Sequence, residues 1–136
     1  MTQCIVCDID GTIAEKKKTD MPRMNWETSI RENPPKPIIP MRTLLQATAG
    51  GLYVLYATAR REALRKLTTD WLANHAFPTP AMLYMRPDDS RLSQDMLKLR
   101  YLKTMREYGW QPVVWFEDDP ATIETLRNNG VHAITC

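Results

Sequence analysis

The sequence predicts a doubly wound α/β fold, in which a five-stranded parallel sheet carries helices on both faces. Short apolar runs alternate with helix-length amphipathic segments along the chain. Turn signals such as Gly50-Gly51 and Asn129-Gly130 separate them. Strands joined through helices form right-handed crossovers, which makes the sheet mostly parallel. At 136 residues the chain is too short for two ordinary domains, so residues 1–136 are expected to form one.

Five strands and four helices are expected, with one irregular segment between the first strand and the first helix. The strands are predicted at residues 4–7, 52–57, 81–85, 112–116 and 131–135, and the helices at 38–49, 61–75, 90–108 and 120–129. The core-facing side chains expected in the third helix are Leu92, Met96, Leu99 and Leu102. Residues 14–37 contain three consecutive lysines and four prolines. They are predicted to be a long loop or flap, too small to form an independent cap domain.

The composition is that of a protein with a packed core and no membrane partner. Hydrophobic residues make up 43% of the chain and charged residues 25%. No stretch approaches the roughly 20 apolar residues of a membrane span, and the first residues lack a signal-peptide pattern. We therefore expect a cytoplasmic protein. The formal charge of +2 neither demands nor excludes a polyanionic partner, and the sequence leaves the oligomeric state open.

Two cysteines in the first predicted strand have the C-x-x-C spacing of some metal and redox sites. They are Cys4 and Cys7. In a strand, however, positions three apart point to opposite faces of the sheet. We therefore expect two buried thiols that share no ligand.

Polar side chains follow four of the predicted strands. The segments are Asp8-Ile9-Asp10-Gly11-Thr12, Thr58-Ala59-Arg60, Met85-Arg86 and Glu117-Asp118-Asp119. Doubly wound sheets bind ligands at the carboxyl ends of their strands, near the point where the strand order reverses. The sequence therefore predicts that carboxylates, a hydroxyl and guanidinium groups meet in one crevice.

Carboxylates in such a crevice suit phosphoryl transfer. Asp8 is expected to attack phosphorus and form an aspartyl-phosphate, which divides one hard hydrolysis into two easier steps. Attack by an anion on an anion requires nearby positive charge, and Mg²⁺ held by Asp8 and Asp118 would supply it. Asp10 is placed to protonate the leaving oxygen and later to activate water as a base.

A hydroxyl and a lysine are expected to complete the catalytic set. Thr58 is predicted to donate a hydrogen bond to a phosphate oxygen, and a lysine to stabilise the developing charge. Lys98 and Lys103 both lie on the third predicted helix. Lys98 is favoured because it lies nearer the start of that helix, and therefore nearer the strand ends.

Further residues at the strand ends are expected to contact the substrate: Gly11, Thr12, Ala59, Arg60 and Arg86. Gly11 permits the sharp exit from the first strand. Arg60 and Arg86 are the favoured phosphate ligands because a guanidinium group matches two phosphate oxygens at once. For Arg86 an ion pair with Asp88 or Asp89 is the alternative.

The first of these segments resembles a known motif. Residues 6–12, Val-Cys-Asp-Ile-Asp-Gly-Thr, are similar to the first motif of the haloacid dehalogenase superfamily of phosphohydrolases, an apolar strand followed by D-x-D-G-T. The resemblance implies that Asp8 is the nucleophile. It also implies that Asp10 is the acid and base, and that its main-chain carbonyl is a ligand of Mg²⁺.

The other three motifs of the superfamily have counterparts in the expected order. The resemblance places the second-motif hydroxyl at Thr58 and the third-motif lysine at Lys98. Residues 117–119 are similar to the fourth, acidic motif. Asp118 is the implied metal ligand there, with Glu117 or Asp119 as the alternative.

A closer likeness is to the phosphatase domain of phage-type polynucleotide kinase/3′-phosphatases. Residues 57–62 are similar to its S/T-G-R-x-E turn, with Ala59 where glycine is usual. Residues 84–98 are similar to its M-R-…-D-x-R-x-D-x-x-x-K run. No G-x-x-x-x-G-K-[ST] phosphate loop is present, so we expect a phosphatase domain without a kinase half.

Three functions are compatible with these features. The favoured one is Mg²⁺-dependent hydrolysis of a phosphomonoester, with the 3′-phosphate of a polynucleotide or nucleotide as substrate. The second is a phosphatase of free nucleotides or other small metabolites, and the third is a binding module that keeps the fold without turnover. All four motif positions hold a reactive residue type, which disfavours the third.

The flap offers groups for a nucleic acid partner. Lys16, Lys17, Lys18 and Arg23 are candidates for contacts to the phosphate backbone, and Trp26 for stacking on a base. The alternative is a solvated lysine run and a tryptophan that anchors the flap to the core.

Overall fold

The structure, a computed structural model, describes residues 1–16 and 23–136, with the backbone alone at residues 23–25. Its strands are β1 (Thr2–Cys7), β2 (Tyr53–Arg61), β3 (Met82–Arg86), β4 (Trp110–Phe116) and β5 (Ala133–Ile134). Its helices are α1 (Arg23–Glu32), α2 (Ile39–Thr48), α3 (Arg65–Asn74), α4 (Gln94–Glu107) and α5 (Pro120–Asn128), with a 3₁₀ turn at Glu62–Leu64.

The five strands form one open parallel sheet in the order β3-β2-β1-β4-β5. After β1 the chain adds strands on one side, and after β3 it crosses to the other side of β1. The strand order therefore reverses at the boundary between β1 and β4, where a doubly wound sheet opens a crevice. The predicted fold class is confirmed.

Two apolar cores cover the two faces of the sheet. Side chains alternate along β1, so that Ile5 and Cys7 enter one core while Cys4 and Val6 enter the other. The first core packs against α2 and α3, and the second against α4 and α5. Both cysteines are buried, and they lie on opposite faces as predicted.

Part of the segment predicted as a loop is helical, so the prediction for residues 14–37 is wrong over α1. Within α1, Ile30 is buried and Trp26 is partly buried. Their spacing of four residues is the helical signal that the lysines and prolines on either side obscured. The helix docks through Glu27, whose carboxylate accepts two hydrogen bonds from Arg61 (2.6 and 2.5 Å).

Two other elements differ from the prediction in their boundaries. β2 continues past Ala57 to Arg61, so Thr58 and Arg60 belong to the strand itself. α4 begins at Gln94, four residues after the predicted start, and Met96 is 48% exposed, contrary to the prediction. The buried stripe of α4 is instead Leu97, Lys98, Tyr101, Leu102 and Met105. None of the helices in the described part of the chain is long and apolar enough to cross a bilayer.

Candidate active site

The carboxyl end of β1 brings Asp8 to the crevice between β1 and β4. The Asp8 N–H donates to the Phe116 carbonyl (3.0 Å), which extends the β1–β4 pairing by one residue. Next to it, Gly11 has a φ of +87°, and a Cβ atom there would lie 2.1 Å from Asp118 Oδ2. Glycine is therefore required for the loop after β1 to pass so close to the loop after β4.

The crevice holds three carboxylates around one lysine. Oxygens of Asp8, Glu117 and Asp118 lie within 4.8 Å of one another. Lys98 Nζ, on α4, donates to Asp8 Oδ1 (2.8 Å) and to Glu117 Oε1 (2.6 Å). The structure thus brings together Asp8, Lys98 and Asp118, residues far apart in the sequence. Lys103, the rejected alternative, is exposed.

The charges of this cluster do not balance. Burial raises the pKa of Asp8 well above its usual range, and the neighbouring Glu117 adds to this effect while Lys98 opposes it. Burial disfavours the ammonium of Lys98, but Asp8 and Glu117 together raise its pKa above the ordinary value. Three carboxylates therefore share one buried ammonium, and the excess negative charge suits a divalent cation.

The three consecutive acids after β4 have different partners. Glu117 Oε2 accepts from the main-chain N–H groups of Asp118 and Asp119, both at 3.2 Å. Asp119 caps α5, since its carboxylate accepts from the N–H (3.0 Å) and hydroxyl (2.6 Å) of Thr122. Asp118 Oδ1 is buried and has no hydrogen-bond partner among the described residues. Of these three acids, Asp118 is therefore the one with a buried oxygen left for an ion.

Arg60 does not take the position expected of it. Its side chain is 0% exposed and its guanidinium group is engaged within the protein, so substrate binding by Arg60 stays a prediction. Its Nε and Nη2 donate to the two oxygens of Asp10 (2.9 and 2.8 Å), and its Nη1 donates to Thr68 Oγ1 (3.1 Å). Arg60 is thus a positioning residue for Asp10, whose side chain keeps 15% exposure.

The two predicted hydroxyl residues have different partners. Thr12 is buried, with Oγ1 3.5 Å from Asp8 Oδ2. Thr58 is also buried, and its Oγ1 accepts from the Arg60 N–H (3.1 Å). Its carbonyl accepts from the hydroxyl of Tyr101 (2.9 Å), on α4. Tyr101 was missed as a support of this segment because its spacing marks it only as a core residue.

Arg86 and Ala59 meet at the end of β3. Arg86 is 5% exposed. Its Nε donates to the Ala59 carbonyl (3.3 Å) and its Nη1 to the Leu92 carbonyl (2.7 Å). Asp88, one of its expected partners, accepts instead from the N–H of Ala63 (3.1 Å). Arg86 therefore joins the end of β2 to the segment that precedes α4.

One lysine of the predicted flap reaches the site. Lys16 Nζ lies 3.5 Å from Asp118 Oδ2, and its side chain is 54% exposed. Lys17, Lys18 and the side chain of Arg23 lie outside the described residues. Base stacking by Trp26 stays a prediction.

Comparisons with known proteins are consistent with this geometry. A family model described as the polynucleotide kinase PNKP phosphatase domain matches residues 2–136. A search of curated proteins finds no significant match.

Solved structures with a similar fold include two complexes and two single hydrolases. A chain of a Pnkp1/Rnl/Hen1 complex aligns with a TM-score of 0.86 at 16% identity, over 100% of this chain and 46% of that one. A chain of a Pnkp1/Rnl/Hen1 RNA repair complex gives 0.85 at 17% identity, over 99% and 42%. The class C acid phosphatase of Bacillus anthracis, with tungstate bound, gives 0.67 at 14% identity, over 86% and 52%. A haloacid dehalogenase-like hydrolase of Streptococcus pneumoniae gives 0.65 at 10% identity, over 99% and 84%.

These structural likenesses are evidence of the fold. The present chain spans less than half the length of the first two chains. Both of these chains come from assemblies, one of which is described as an RNA repair complex.

Proposed function

The chain belongs to the family of the polynucleotide kinase PNKP phosphatase domain, a haloacid dehalogenase-type phosphatase, and on that premise we propose that it hydrolyses the 3′-phosphate of a polynucleotide end with Asp8 as nucleophile and Mg²⁺ as cofactor. The observation that carries the proposal is the buried cluster of Asp8, Lys98 and Asp118 at the reversal of strand order. The RNA repair assembly among the similar structures supports a polynucleotide substrate.

The residues present fit a magnesium ion. Asp118 Oδ1 is buried without a partner among the described residues, and hard oxygen ligands are those Mg²⁺ prefers. We expect Asp8, Asp118 and the main-chain carbonyl of Asp10 to hold the ion. When bound, Mg²⁺ offsets the negative charge of the carboxylates and of the substrate phosphate.

Asp8 has one oxygen held and one available. Lys98 binds Oδ1 at 2.8 Å, whereas the nearest hydroxyl to Oδ2, that of Thr12, lies 3.5 Å away. In the proposed first step, Oδ2 forms a bond to phosphorus while the bond from phosphorus to the 3′-oxygen breaks. Lys98 fixes the orientation of the nucleophile and Glu117 fixes Lys98.

Asp10 moves the protons in both steps. In its protonated form it donates to the departing 3′-oxygen. In the second step the Asp10 carboxylate takes a proton from a water molecule, and the water oxygen attacks phosphorus. The bond between phosphorus and Asp8 breaks, which releases orthophosphate and regenerates Asp8. The bidentate contact with Arg60 fixes the position of the Asp10 side chain.

Substrate choice tests the proposal directly. Phosphate release is measured for a 3′-phosphorylated oligonucleotide, the 5′-phosphorylated isomer and free nucleoside monophosphates, with Mg²⁺ and with EDTA. We expect Mg²⁺-dependent release, fastest from the 3′-phosphorylated oligonucleotide. Asp8→Asn lowers this rate by at least about 10³-fold while circular dichroism stays unchanged. The matched control is Asp70→Asn, an exposed carboxylate on α3.

Some outcomes would contradict parts of this assignment. Equal or faster turnover of free nucleotides contradicts the polynucleotide substrate and supports the small-metabolite alternative. Wild-type activity in Asp8→Asn contradicts the nucleophile.

Metal binding has a separate test that does not depend on turnover. Because Mg²⁺ binds the folded state, 100 times its Kd raises the free energy of unfolding by about 2.7 kcal/mol. We expect a corresponding rise in Tm for the wild type and for Asp119→Asn. Asp118→Asn strongly reduces the rise because it removes the negative charge of the ligand carboxylate. An undiminished rise in Asp118→Asn would assign the ion to another carboxylate.

A further inference from the structure

Two open hollows flank the segment that joins β3 to α4, here called the 87–93 ridge. The first has a volume of about 840 Å³ and is lined by Glu27, Arg61, Arg86 and ridge residues. The second, of about 640 Å³, is lined by residues of α4, including Arg100 and Tyr101, and by the other side of the ridge. The ridge follows the carboxyl end of a parallel strand, so it lies on the same edge of the sheet as Asp8.

The walls of both hollows are bonded to the segment that carries Thr58. Arg86 donates to the Ala59 carbonyl and, on the ridge, to the Leu92 carbonyl (3.3 and 2.7 Å). Tyr101 donates to the Thr58 carbonyl (2.9 Å). Hydrogen bonds therefore join the ridge to the strand segment that carries Thr58.

The charged side chains that line the hollows differ in whether they have hydrogen-bond or ion-pair partners. The carboxylate of Glu27 is engaged by Arg61 at both oxygens, and Asp88 accepts a main-chain hydrogen bond. Arg91, which lines both hollows, and Arg100 are exposed. In the part of the chain that the structure describes, neither has a carboxylate within ion-pairing distance. Among the described residues, Arg91 on the ridge and Arg100 on α4 are thus cations without a carboxylate partner, and the ridge also carries the exposed carboxylate of Asp89.

We propose that the 87–93 ridge is a binding track for the nucleotides that precede the terminal phosphate, with Arg91 and Arg100 binding backbone phosphates of a polynucleotide strand. The inference rests on the proposed function, because the terminal phosphate sets where the strand begins. A phosphodiester strand suits the ridge because it carries one anion per nucleotide, whereas a single phosphometabolite offers nothing to cations outside the catalytic centre. The track makes the enzyme selective for chain length rather than for base sequence.

The test compares kcat/KM for 3′-phosphorylated substrates from a mononucleotide to an octanucleotide, at several salt concentrations. We expect the wild type to favour the octanucleotide. Replacing both arginines (R91Q/R100Q) lowers the ratio of octanucleotide to mononucleotide kcat/KM about tenfold. It also reduces the slope of log kcat/KM against log salt concentration for the octanucleotide by about two, since each phosphate contact contributes about one to that slope.

The matched control is Lys66→Gln. Lys66 is 90% exposed and lies on α3, which covers the opposite face of the sheet from α4. We expect Lys66→Gln to remove a cation without altering the kcat/KM ratio of octanucleotide to mononucleotide or the salt dependence. Circular dichroism and Tm of each variant show that its fold is retained.

The results separate the two proposals. If the wild type releases no 3′-phosphate from any substrate, the proposed function fails. If the wild type favours the octanucleotide but R91Q/R100Q keeps the wild-type ratio and salt slope, the proposed function stands and the track is overturned. Equal kcat/KM for all lengths overturns the track and the polynucleotide substrate together. The track is also overturned if R91Q/R100Q lowers kcat/KM equally for the octanucleotide and the mononucleotide. It is overturned as well if Lys66→Gln lowers the ratio of these two values as much as R91Q/R100Q does.

Discussion

The catalytic centre and the 87–93 ridge hold charged side chains in opposite ways. At the centre, Lys98 and Glu117 are 0% exposed and are joined at 2.6 Å. On the ridge and α4, Arg91 and Arg100 are exposed to solvent. Buried charges interact strongly because little water screens them, whereas exposed charges are screened by water and salt. Under the two proposals, a few fixed atoms carry out the chemistry and exposed groups that adapt select the substrate.

The largest effect is expected when the buried ammonium group of Lys98 is removed. Lys98→Met leaves Asp8 and Glu117 without their ammonium group, and loss of one partner of a buried pair costs about 3–5 kcal/mol. We expect the free energy of unfolding in urea to fall by this amount and activity to be lost. Lys103→Met, on the exposed side of the same helix, changes stability by less than about 0.5 kcal/mol. Equal losses of unfolding free energy in the two variants would contradict a stabilising role of Lys98 between the carboxylates.

Gly11 tests how closely the two loops of the centre must approach. Gly11→Ala introduces a Cβ atom 2.1 Å from Asp118 Oδ2 in a backbone of positive φ, a conformation that costs about 1–3 kcal/mol. Gly109→Ala is the matched control, because it has the same φ of +87° but no atom within 4 Å. We expect both to lower Tm and only Gly11→Ala to lose the Mg²⁺-induced rise. Loss of the rise in both would mean that general strain is responsible.

Two adjacent arginines sharpen the comparison further. Arg60→Lys cannot make the bidentate contact to Asp10, so kcat falls about tenfold while KM changes little. Arg61→Lys disturbs only the contact to Glu27 and leaves kcat near the wild-type value. Steady-state kinetics and the pH dependence of kcat check this, since a mispositioned Asp10 alters the pH profile. A rise in KM alone after Arg60→Lys would contradict the positioning role.

The smallest effect is expected where α1 meets β2. Glu27→Gln weakens the contact to Arg61, whose side chain is 30% exposed. We expect a fall in Tm smaller than that of the other changes, and one that shrinks as salt is added. Glu32→Gln, at an exposed carboxylate on the same helix, is the control. A salt-independent fall would mean that packing, not charge, holds the helix.

The positions of the candidate site residues were largely predictable, because one geometric rule places them. The carboxyl ends of parallel strands share an edge, so Asp8, Thr58 and Asp118 were expected at that edge once the order of strands and helices was recognised. The choice of Lys98 over Lys103 followed from its distance along the helix, and the structure confirms that Lys98 lies between the carboxylates.

What the sequence did not reveal is which partner each charged group takes. Arg60 was assigned to the substrate because a guanidinium group binds phosphate and carboxylate equally well. Only the fold shows that it turns inward to Asp10, 50 positions away. Glu117 was likewise weighed as a metal ligand, whereas its oxygens are taken by Lys98 and by main-chain N–H groups.

The central position of β1 has a consequence for how the protein is made. β1 leaves the ribosome before the other four strands, yet one of its two neighbours, β4, is the fourth to emerge. Until then the nascent chain exposes the hydrogen-bonding edge of its innermost strand, a surface that pairs readily with other chains. A translational pause between α4 and β4 would therefore favour aggregation more than a pause after β4, and chaperone binding is most valuable during that interval.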